Sequence, residues 1–443
     1  MNDPQLIDLE GLFAYPVDAV RRTIEAFQSD MERGLSGEPS SLKMLPAYVD
    51  NPSGNEKGEI LALDLGGSNY RILLVRLAGD GSAPDVTSRK YSLSPEETDR
   101  NAETLFGALA RSIKAFAGEL GVGGDRPLGF TFSFPIRQPS IDRGELIVWT
   151  KGWSAEGVVG NDVVGLLNEA MAREGAAHIR VVSLDNDTTG TQMARAYLDA
   201  ACDVGCILGT GTNICYRERT ARIRKPLGPY VGESMIVNME SGGFDKGLPR
   251  NRFDERLDAE SGNPGAQWEE KMVSGKYLGE LVRLVVVEQT ARGLMFDGRL
   301  PSVFAVRERF GSERICAIKE DATENAAGVR AILAELGTPG ASMQDAAAVR
   351  SIAWIVSRRA ARIAAAGLAA TVTWMDPGLE RDHTIAVDGS VFEKHPGFAA
   401  GMAAAFREIL GPGAARVRTA LTHDGSGLGA AIIAAAANTA AGK

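Results

Sequence analysis

The feature that most constrains how this chain can fold is a hairpin that occurs twice. Ile60-Leu-Ala-Leu-Asp64-Leu-Gly66-Gly67-Ser68-Asn69-Tyr-Arg71-Ile-Leu-Leu-Val75 is two apolar runs around a tight Gly-Gly-Ser-Asn turn. β-Favouring residues on either side of a glycine pair that can reach φ > 0 predict a β-hairpin. Gly205-Cys-Ile-Leu208-Gly209-Thr210-Gly211-Thr212-Asn213-Ile-Cys-Tyr216 again reads strand, glycine turn, hydroxyl-Asn, strand. An unrelated turn would rarely repeat the hydroxyl-Asn ending. The chain is also longer than one domain usually is, at 443 residues.

The turns have chemical potential. Glycines let backbone N–H groups approach an anion, Ser68 and Asn69 add polar contacts, and Arg71 adds a charge. Asp64 ends the first strand beside this phosphate-sized nest, a position that suits ordering a hydrated Mg²⁺. The competing reading is an ordinary tight turn with an Asp cap. The recurrence favours the first reading, with two similar domains facing one nucleotide.

Composition bounds the partners. The chain is 44% hydrophobic and 24% charged, as soluble globular proteins are. A net charge of −9 argues against a nucleic-acid protein, which would carry a basic face. The start, Met-Asn-Asp-Pro-Gln, has neither the basic nor the apolar region of a signal peptide. The longest apolar run, Leu428 to Ala437, is too short to span a bilayer. Cys202, Cys206, Cys215 and Cys316 make no zinc spacing and read as reduced thiols of a cytoplasmic protein.

Along the chain, Val17 to Gly34 and residues 101–120 carry helical periodicity, the second with Leu105, Leu109, Ile113 and Phe116 inward. Residues 78–97 read as loop or edge. Gly129-Phe-Thr-Phe-Ser133-Phe-Pro135 and Glu145-Leu-Ile-Val-Trp149 read as strands, the latter followed by the loop Thr150-Lys151-Gly152-Trp153. Asp162 to Arg173 reads as a helix. Ile179 to Leu184 is a strand ending at Asp185-Asn186-Asp187-Thr188-Thr189. A carboxylate at such a strand end is a common place for catalysis in α/β sheets. Helix capping is the other reading of Asp187, and capping by Thr188 or Thr189 would leave it available.

Further on, Asn263 and Pro264 are expected to start a short helix carrying Glu270, and a second helix runs from about Tyr277 to Arg292. Residues 299–337 read as helical. Ala346 to Ala366 is an alanine-rich helix whose Arg358, Arg359 and Arg362 read as a solvated basic edge. Thr371 to Met375 and Thr384 to Val387 are expected as strands, the latter entering Asp388-Gly389-Ser390. Asp424-Gly425-Ser426-Gly427 opens a terminal helix.

In this order the motifs resemble the hexokinase family, within the actin-like ATPase superfamily. The resemblance runs from about Ser41 to the terminal helix, on Leu-Asp64-Leu-Gly-Gly-Ser-Asn-Tyr-Arg71, Gly129 to Pro135, Trp149 to Trp153, Asp185 to Thr191, Gly209 to Asn213, Ser261-Gly-Asn-Pro264-Gly and Asp424 to Gly427. It implies an α/β, two-domain, ribonuclease H-like fold, each domain a mixed sheet flanked by helices, with ATP and sugar in the cleft between. Residues 50–188, completed by the terminal helix from about 428 to 443, would form a small domain. Residues 1–49 and 189–427 would form a large one.

The resemblance implies transfer of the γ-phosphoryl group of MgATP to the 6-hydroxyl of a hexose such as glucose. It makes Asp187 the general base and Ser133, Thr150, Lys151, Asn186, Asn213, Glu240 and Glu270 the sugar ligands. It assigns Asp64, Gly66, Gly67, Ser68, Asn69, Arg71 and Thr210 to the phosphates, with Asp64 reaching Mg²⁺ through water. Gly389 to Val391, including Ser390, and Gly425 to Gly427, including Ser426, fall on the adenosine side. No Walker lysine motif is present, so the two glycine hairpins would do that work. Ser68 stands where threonine is usual, Trp153 where phenylalanine is usual, and Leu428 where a basic residue is frequent. Ser312 and Cys316 lie where hydroxyl-bearing residues often approach adenine.

The residue chemistry agrees independently. Carboxylates and amides are good bidentate partners for neighbouring sugar hydroxyls, at about 1.5–3 kcal/mol for each bond to a charged group. Phosphoryl transfer needs mainly positioning and charge neutralisation, which Arg71, Lys151 and Mg²⁺ would supply. Water competes with the sugar in any open site, so sugar-driven domain closure is expected. A catalytically weak sugar-binding sensor or regulator and an actin- or chaperone-like ATPase that binds protein are the alternatives. Asp187 opposes the first and the sugar set opposes the second.

Overall fold

The computed structural model describes residues 4–150 and 152–441. Thirteen strands lie among them: β1 (Leu45–Pro46), β2 (Lys57–Leu65), β3 (Asn69–Ala78), β4 (Asp85–Ser92), β5 (Arg126–Phe132), β6 (Ile136–Ser140), β7 (Arg143–Leu146), β8 (Ile179–Asp185), β9 (Cys202–Leu208), β10 (Thr212–Arg219), β11 (Ser234–Asn238), β12 (His383–Asp388) and β13 (Val417–Leu421). They form a five-stranded sheet ordered β4-β3-β2-β5-β8, a six-stranded sheet ordered β1-β11-β10-β9-β12-β13, and the β6–β7 ribbon.

Each sheet is built on one of the two hairpins. β2 pairs antiparallel with β3 and parallel with β5, and β9 pairs antiparallel with β10 and parallel with β12. The repeat in the sequence is therefore a repeat of topology, giving a two-domain α/β architecture with mixed sheets.

Strand alternation sends side chains to both faces, and both faces of the first sheet are covered. Leu61, Leu63 and Leu65 pack with Leu105, Leu109, Ile113 and Phe116 of the Ala102–Glu119 helix. Ile60, Ala62, Leu73 and Val75 pack with Ala430 to Ala435 of the terminal Gly425–Ala441 helix. Small residues there let the backbones meet, since a Cβ at Gly129 would lie 2.1 Å from the Ala430 oxygen.

Two helices exchange sheets. The Asp187–Ala196 helix leaves β8 of the first sheet and packs on β9 of the second. The Gly425–Ala441 helix follows β13 of the second sheet and packs on β2 and β5 of the first. They cross where a Cβ at Gly429 would sit 2.0 Å from the Gly190 oxygen, so only glycine fits there. This crossing brings the end of β8, both hairpin turns and the start of the terminal helix to one place.

Several sequence expectations change. Thr371 to Met375 is the end of the Met343–Met375 helix, not a strand, because an alanine-rich helix buried along its length tolerates threonine and tryptophan in its last turn. Its Arg359 is 1% exposed rather than solvated, with Nη1 and Nη2 each 2.6 Å from an Asp254 carboxylate oxygen. Arg362 bonds the Tyr15 carbonyl and Glu408, whereas Arg358 is on the surface. The helix carrying Glu270 starts at Trp268 rather than at Pro264. The strand expected at 145–149 is Arg143–Leu146, whereas residues 78–97, read as loop or edge, do hold the edge strand β4.

Candidate active site

The first hairpin turn differs from expectation in its backbone. Neither Gly66 nor Gly67 adopts a positive φ. What glycine provides is room: a Cβ at either position would meet nothing within 4 Å. The turn, with Ser68 and Asn69, is exposed at the cleft, and the Ser68 carbonyl accepts from Leu93 N–H at 2.7 Å.

Behind it lies a charged knot. Arg71 donates to Asp64 Oδ2 through Nη2 at 2.6 Å and Nε at 3.2 Å, and Ser426 Oγ donates to the same oxygen at 2.7 Å. Arg71 Nη1 pairs with Asp424, a non-glycine residue at φ 53°. Residues at the two ends of the sequence thus fix one carboxylate. Asp64 Oδ2 is saturated, while Oδ1 makes no hydrogen bond among the described residues. Asp64 therefore fits as an outer partner for a hydrated cation. Among the described residues no group of three acidic, histidine or cysteine side chains forms a chelate.

Asp185, Asn186 and Asp187 end β8 in three different states. Asp185 is 2% exposed and accepts from Thr131 Oγ1 at 3.1 Å. Burial drives its pKa well above the carboxylate range, against the Thr131 bond and with help from the Asp64 and Asp187 charges. Asn186 is the helix cap, accepting Thr188 N–H at 2.9 Å. Asp187 opens the helix, its Oδ1 2.8 Å from Thr188 N and 3.2 Å from Thr188 Oγ1.

From Thr188 a chain of amides reaches the second hairpin. Asn213 Nδ2 donates to Thr188 Oγ1 at 2.9 Å and to Asn238 Oδ1 at 2.7 Å. Asn213 Oδ1 accepts from Ser241 N at 3.1 Å. Asn238 Nδ2 donates to Glu240 Oε1 at 3.0 Å, and Lys43 Nζ lies 3.5 Å from Glu240 Oε2. Glu240 is held at φ 57°, a left-handed conformation rare for glutamate. Glu270 faces the same turn, accepting Thr212 N–H at 3.4 Å. A Cβ at Gly211 would lie 2.8 Å from Glu270 Oε2, so glycine makes space for that carboxylate. Burial raises the Glu270 pKa, against the Thr212 N–H and Lys276 and with help from Glu240.

The loop after β7 completes the wall. Phe134, Trp149 and Trp153 form an aromatic cluster with ring centroids 4.9–5.3 Å apart. It holds the exposed Thr150, whose carbonyl accepts from Trp153 N at 3.2 Å. Ser133 N donates to Leu65 O at 3.2 Å, placing Ser133 beside the first hairpin. Lys151 lies outside the described residues.

On the far side, Gly389 at φ 122° brings the turn after β12 against the second hairpin, where its Cβ would lie 2.4 Å from the Leu208 oxygen. Gly275 N donates to Gly209 O at 2.8 Å and Lys276 N to Thr210 O at 3.3 Å. Thr210 and Ser390 are exposed there, whereas Gly425 and Ser426 are buried at the start of the terminal helix. The described candidates fall into three groups: oxygen and nitrogen groups linked around Asp187, the open turn at Gly66–Gly67, and the close glycine contacts at Gly209 and Gly389. Sequence reasoning gave no role to Asn238, Asp424, Lys43 or Asp185, and offered Thr188 only as a helix cap. Asp424 stood within a motif, but only the folded contacts show what it holds.

Comparison with known proteins adds to this geometry. Two family models, each described as hexokinase, match residues 5–197 and 203–436. The chain is 39% identical to chloroplastic hexokinase-4 of Oryza sativa subsp. japonica over 452 residues, 98% of this chain and 88% of that one. It is 42% identical to hexokinase-3 of Homo sapiens over 416 residues, 92% of this chain but 44% of the human protein, so it spans less than half that relative's length. Hexokinase from Schistosoma mansoni, solved in complex with glucose, superposes with a TM-score of 0.87 at 35% identity, covering 98% of both chains.

Proposed function

The chain belongs to the hexokinase family, and on that premise we propose that it transfers the γ-phosphoryl group of ATP to the 6-hydroxyl of a hexose. The observation that carries this reading is the amide chain Thr188–Asn213–Asn238–Glu240. It ties the Asp187 carboxylate, through Thr188, to the Asn213 and Asn238 amides and the Glu240 carboxylate, groups of the chemistry that hydroxyls pair with.

In this reading Glu240, Glu270, Asn186 and Asn213, with Ser133, Thr150 and Lys151, hold the sugar. Asp187 accepts the proton of the 6-hydroxyl as that oxygen bonds to the γ-phosphorus. The bond from the γ-phosphorus to the bridging oxygen breaks, and ADP leaves. A positioned general base contributes about 10²–10⁴-fold. Thr188 N–H and hydroxyl aim the carboxylate. The open turn at Gly66–Gly67 with Ser68, Asn69, Arg71 and Thr210 receives the phosphates, and Gly389, Ser390, Gly425 and Ser426 line the adenosine side. Asp64 would hold a hydrated Mg²⁺ through its free Oδ1, and the ion would supply charge neutralisation for the phosphates.

The reading includes closure of a small domain, residues 50–188 with the terminal helix, onto the rest. The crossing at Gly190 and Gly429 supports it, because two helices in glycine contact can rotate with little side-chain repacking. A cytoplasmic setting is part of the proposal: the four unbridged thiols suit a reducing compartment. No helix among the described residues is long and apolar enough to cross a membrane.

The test is ADP release from MgATP with glucose, mannose, fructose, glucosamine or N-acetylglucosamine against a blank without sugar. Release that requires a hexose supports the kinase. Release that is equal in the blank refutes it.

A further inference from the structure

Outside the cleft, on the outer side of the second domain, lies a cavity of about 470 Å³ between the Met343–Met375 helix, the Phe398–Leu410 helix and the end of the Ser312–Glu320 helix. This is within the size range of small-molecule sites. Phe398 forms part of its floor, and the Trp354 indole, 41% exposed, stands at its edge. The charges around it are unbalanced. Lys319, Arg350 and Arg358 face one carboxylate, Glu10, which is 3.6 Å from Arg358. Arg350 Nη1 is spent on the Asp321 and Thr323 carbonyls.

Lys319 is the unexplained group. It is 5% exposed, and among the described residues no carboxylate lies within ion-pair distance of it. Its Nζ is 4.3 Å from the Trp354 ring centroid and 3.4 Å from His395 Nδ1. Burial lowers its pKa to about 8, and burial with the Lys319 charge lowers that of His395 to about 3. The imidazole is therefore neutral. Accepting from Lys319 at Nδ1, it donates from Nε2 to Ser312 Oγ, 3.3 Å away. Ser312 Oγ would lie 3.6 Å from a Cβ placed on Gly275, and the Gly275 N–H holds the Gly209 carbonyl.

We propose that this cavity binds a small aromatic anion, its ring against Trp354 and Phe398 and its anionic group on Lys319, and that occupancy changes nucleotide affinity through His395 and Ser312. An anion supplies the counter-charge Lys319 lacks, and a flat ring covers the exposed indole. Drawing Lys319 toward the ligand removes its bond to His395, which frees Nδ1 and the Ser312 contact. The coupling is reciprocal: nucleotide must change anion affinity by the same factor. That part rests on the kinase reading of the cleft; the binding part does not.

The experiment titrates 8-anilinonaphthalene-1-sulfonate into the full chain, following calorimetry and energy transfer from tryptophan. The expected result is one saturable equivalent, with affinity at least about tenfold weaker in Trp354→Ala and in Lys319→Gln. Calorimetric ADP affinity should shift at least about twofold when the dye is saturating, and not in Trp354→Ala. Trp354 is half-exposed, so its variant tests the site even if Lys319→Gln is destabilised. Binding without defined stoichiometry, or unchanged in Trp354→Ala, overturns the site. Unchanged ADP affinity at saturating dye overturns the coupling. Neither readout needs turnover, so a silent kinase assay is a separate result.

Discussion

Asn213 Nδ2 lies 2.9 Å from Thr188 Oγ1, joining the second hairpin to the residue that orients Asp187. Both amide protons of Asn213 are donated inside the protein, the second to Asn238. Its side chain thus does positioning work whether or not its oxygen also meets the sugar.

Asn213→Ala removes both of those bonds and leaves Asn238 Oδ1 in a buried setting with one fewer donor. Such a loss is about 1–3 kcal/mol, on the order of 10–100-fold. The expected result is a fall in kcat/KM for sugar within that range, with the KM for MgATP little changed. Steady-state kinetics with each substrate varied in turn checks this.

Asp187→Ala is expected to lower kcat by about 10²–10⁴-fold while sugar binding, followed by tryptophan fluorescence, stays within a few-fold of the parent. Strong loss of sugar affinity with turnover retained would remove Asp187 from the role of base.

Arg359 and Asp254 form a buried bidentate pair that ties the long helix to the Arg252–Glu260 helix. Arg359→Met strands a carboxylate in the core, and breaking such a pair costs about 3–5 kcal/mol. The chemical denaturation midpoint should fall clearly, and adding Asp254→Asn should recover part of the loss.

Glu269, 3% exposed beside Ser241, has its pKa raised by burial from 4.5 to about 8. Between those values the unfolded chain releases its proton while the folded chain keeps it. The stabilisation is therefore complete below about pH 4.5 and is lost as pH rises through about 8. Glu269→Gln stays neutral and should raise the denaturation midpoint at about pH 8 far more than at about pH 5. Equal effects at both would show the carboxyl ionised in the folded state.

The hairpins and the end of β8 were legible because a strand, a glycine turn and a terminal carboxylate are local patterns. The cap itself was misplaced: the sequence offered Asp187, Thr188 or Thr189, whereas Asn186 caps the helix and Asp187 is its first residue. The Asp64–Arg71–Ser426 knot was legible only as separate motifs, since its members come from opposite ends of the chain and meet through the crossing at Gly190 and Gly429. Arg359 was misread because alanine-rich periodicity does not show which arginine meets a distant buried carboxylate. The glycines of the first turn were expected for their backbone freedom, yet neither adopts a positive φ and each stands in open space, which local sequence does not show.

The most direct measurement is sugar-dependent ADP release from MgATP by the parent chain and by Asp187→Ala. If the cleft is a hexose kinase site, the parent releases ADP with a hexose and almost none in the blank, and the variant's sugar-dependent release falls by about 10²-fold or more. Release that continues without sugar, or that is undiminished by the loss of Asp187, would contradict it.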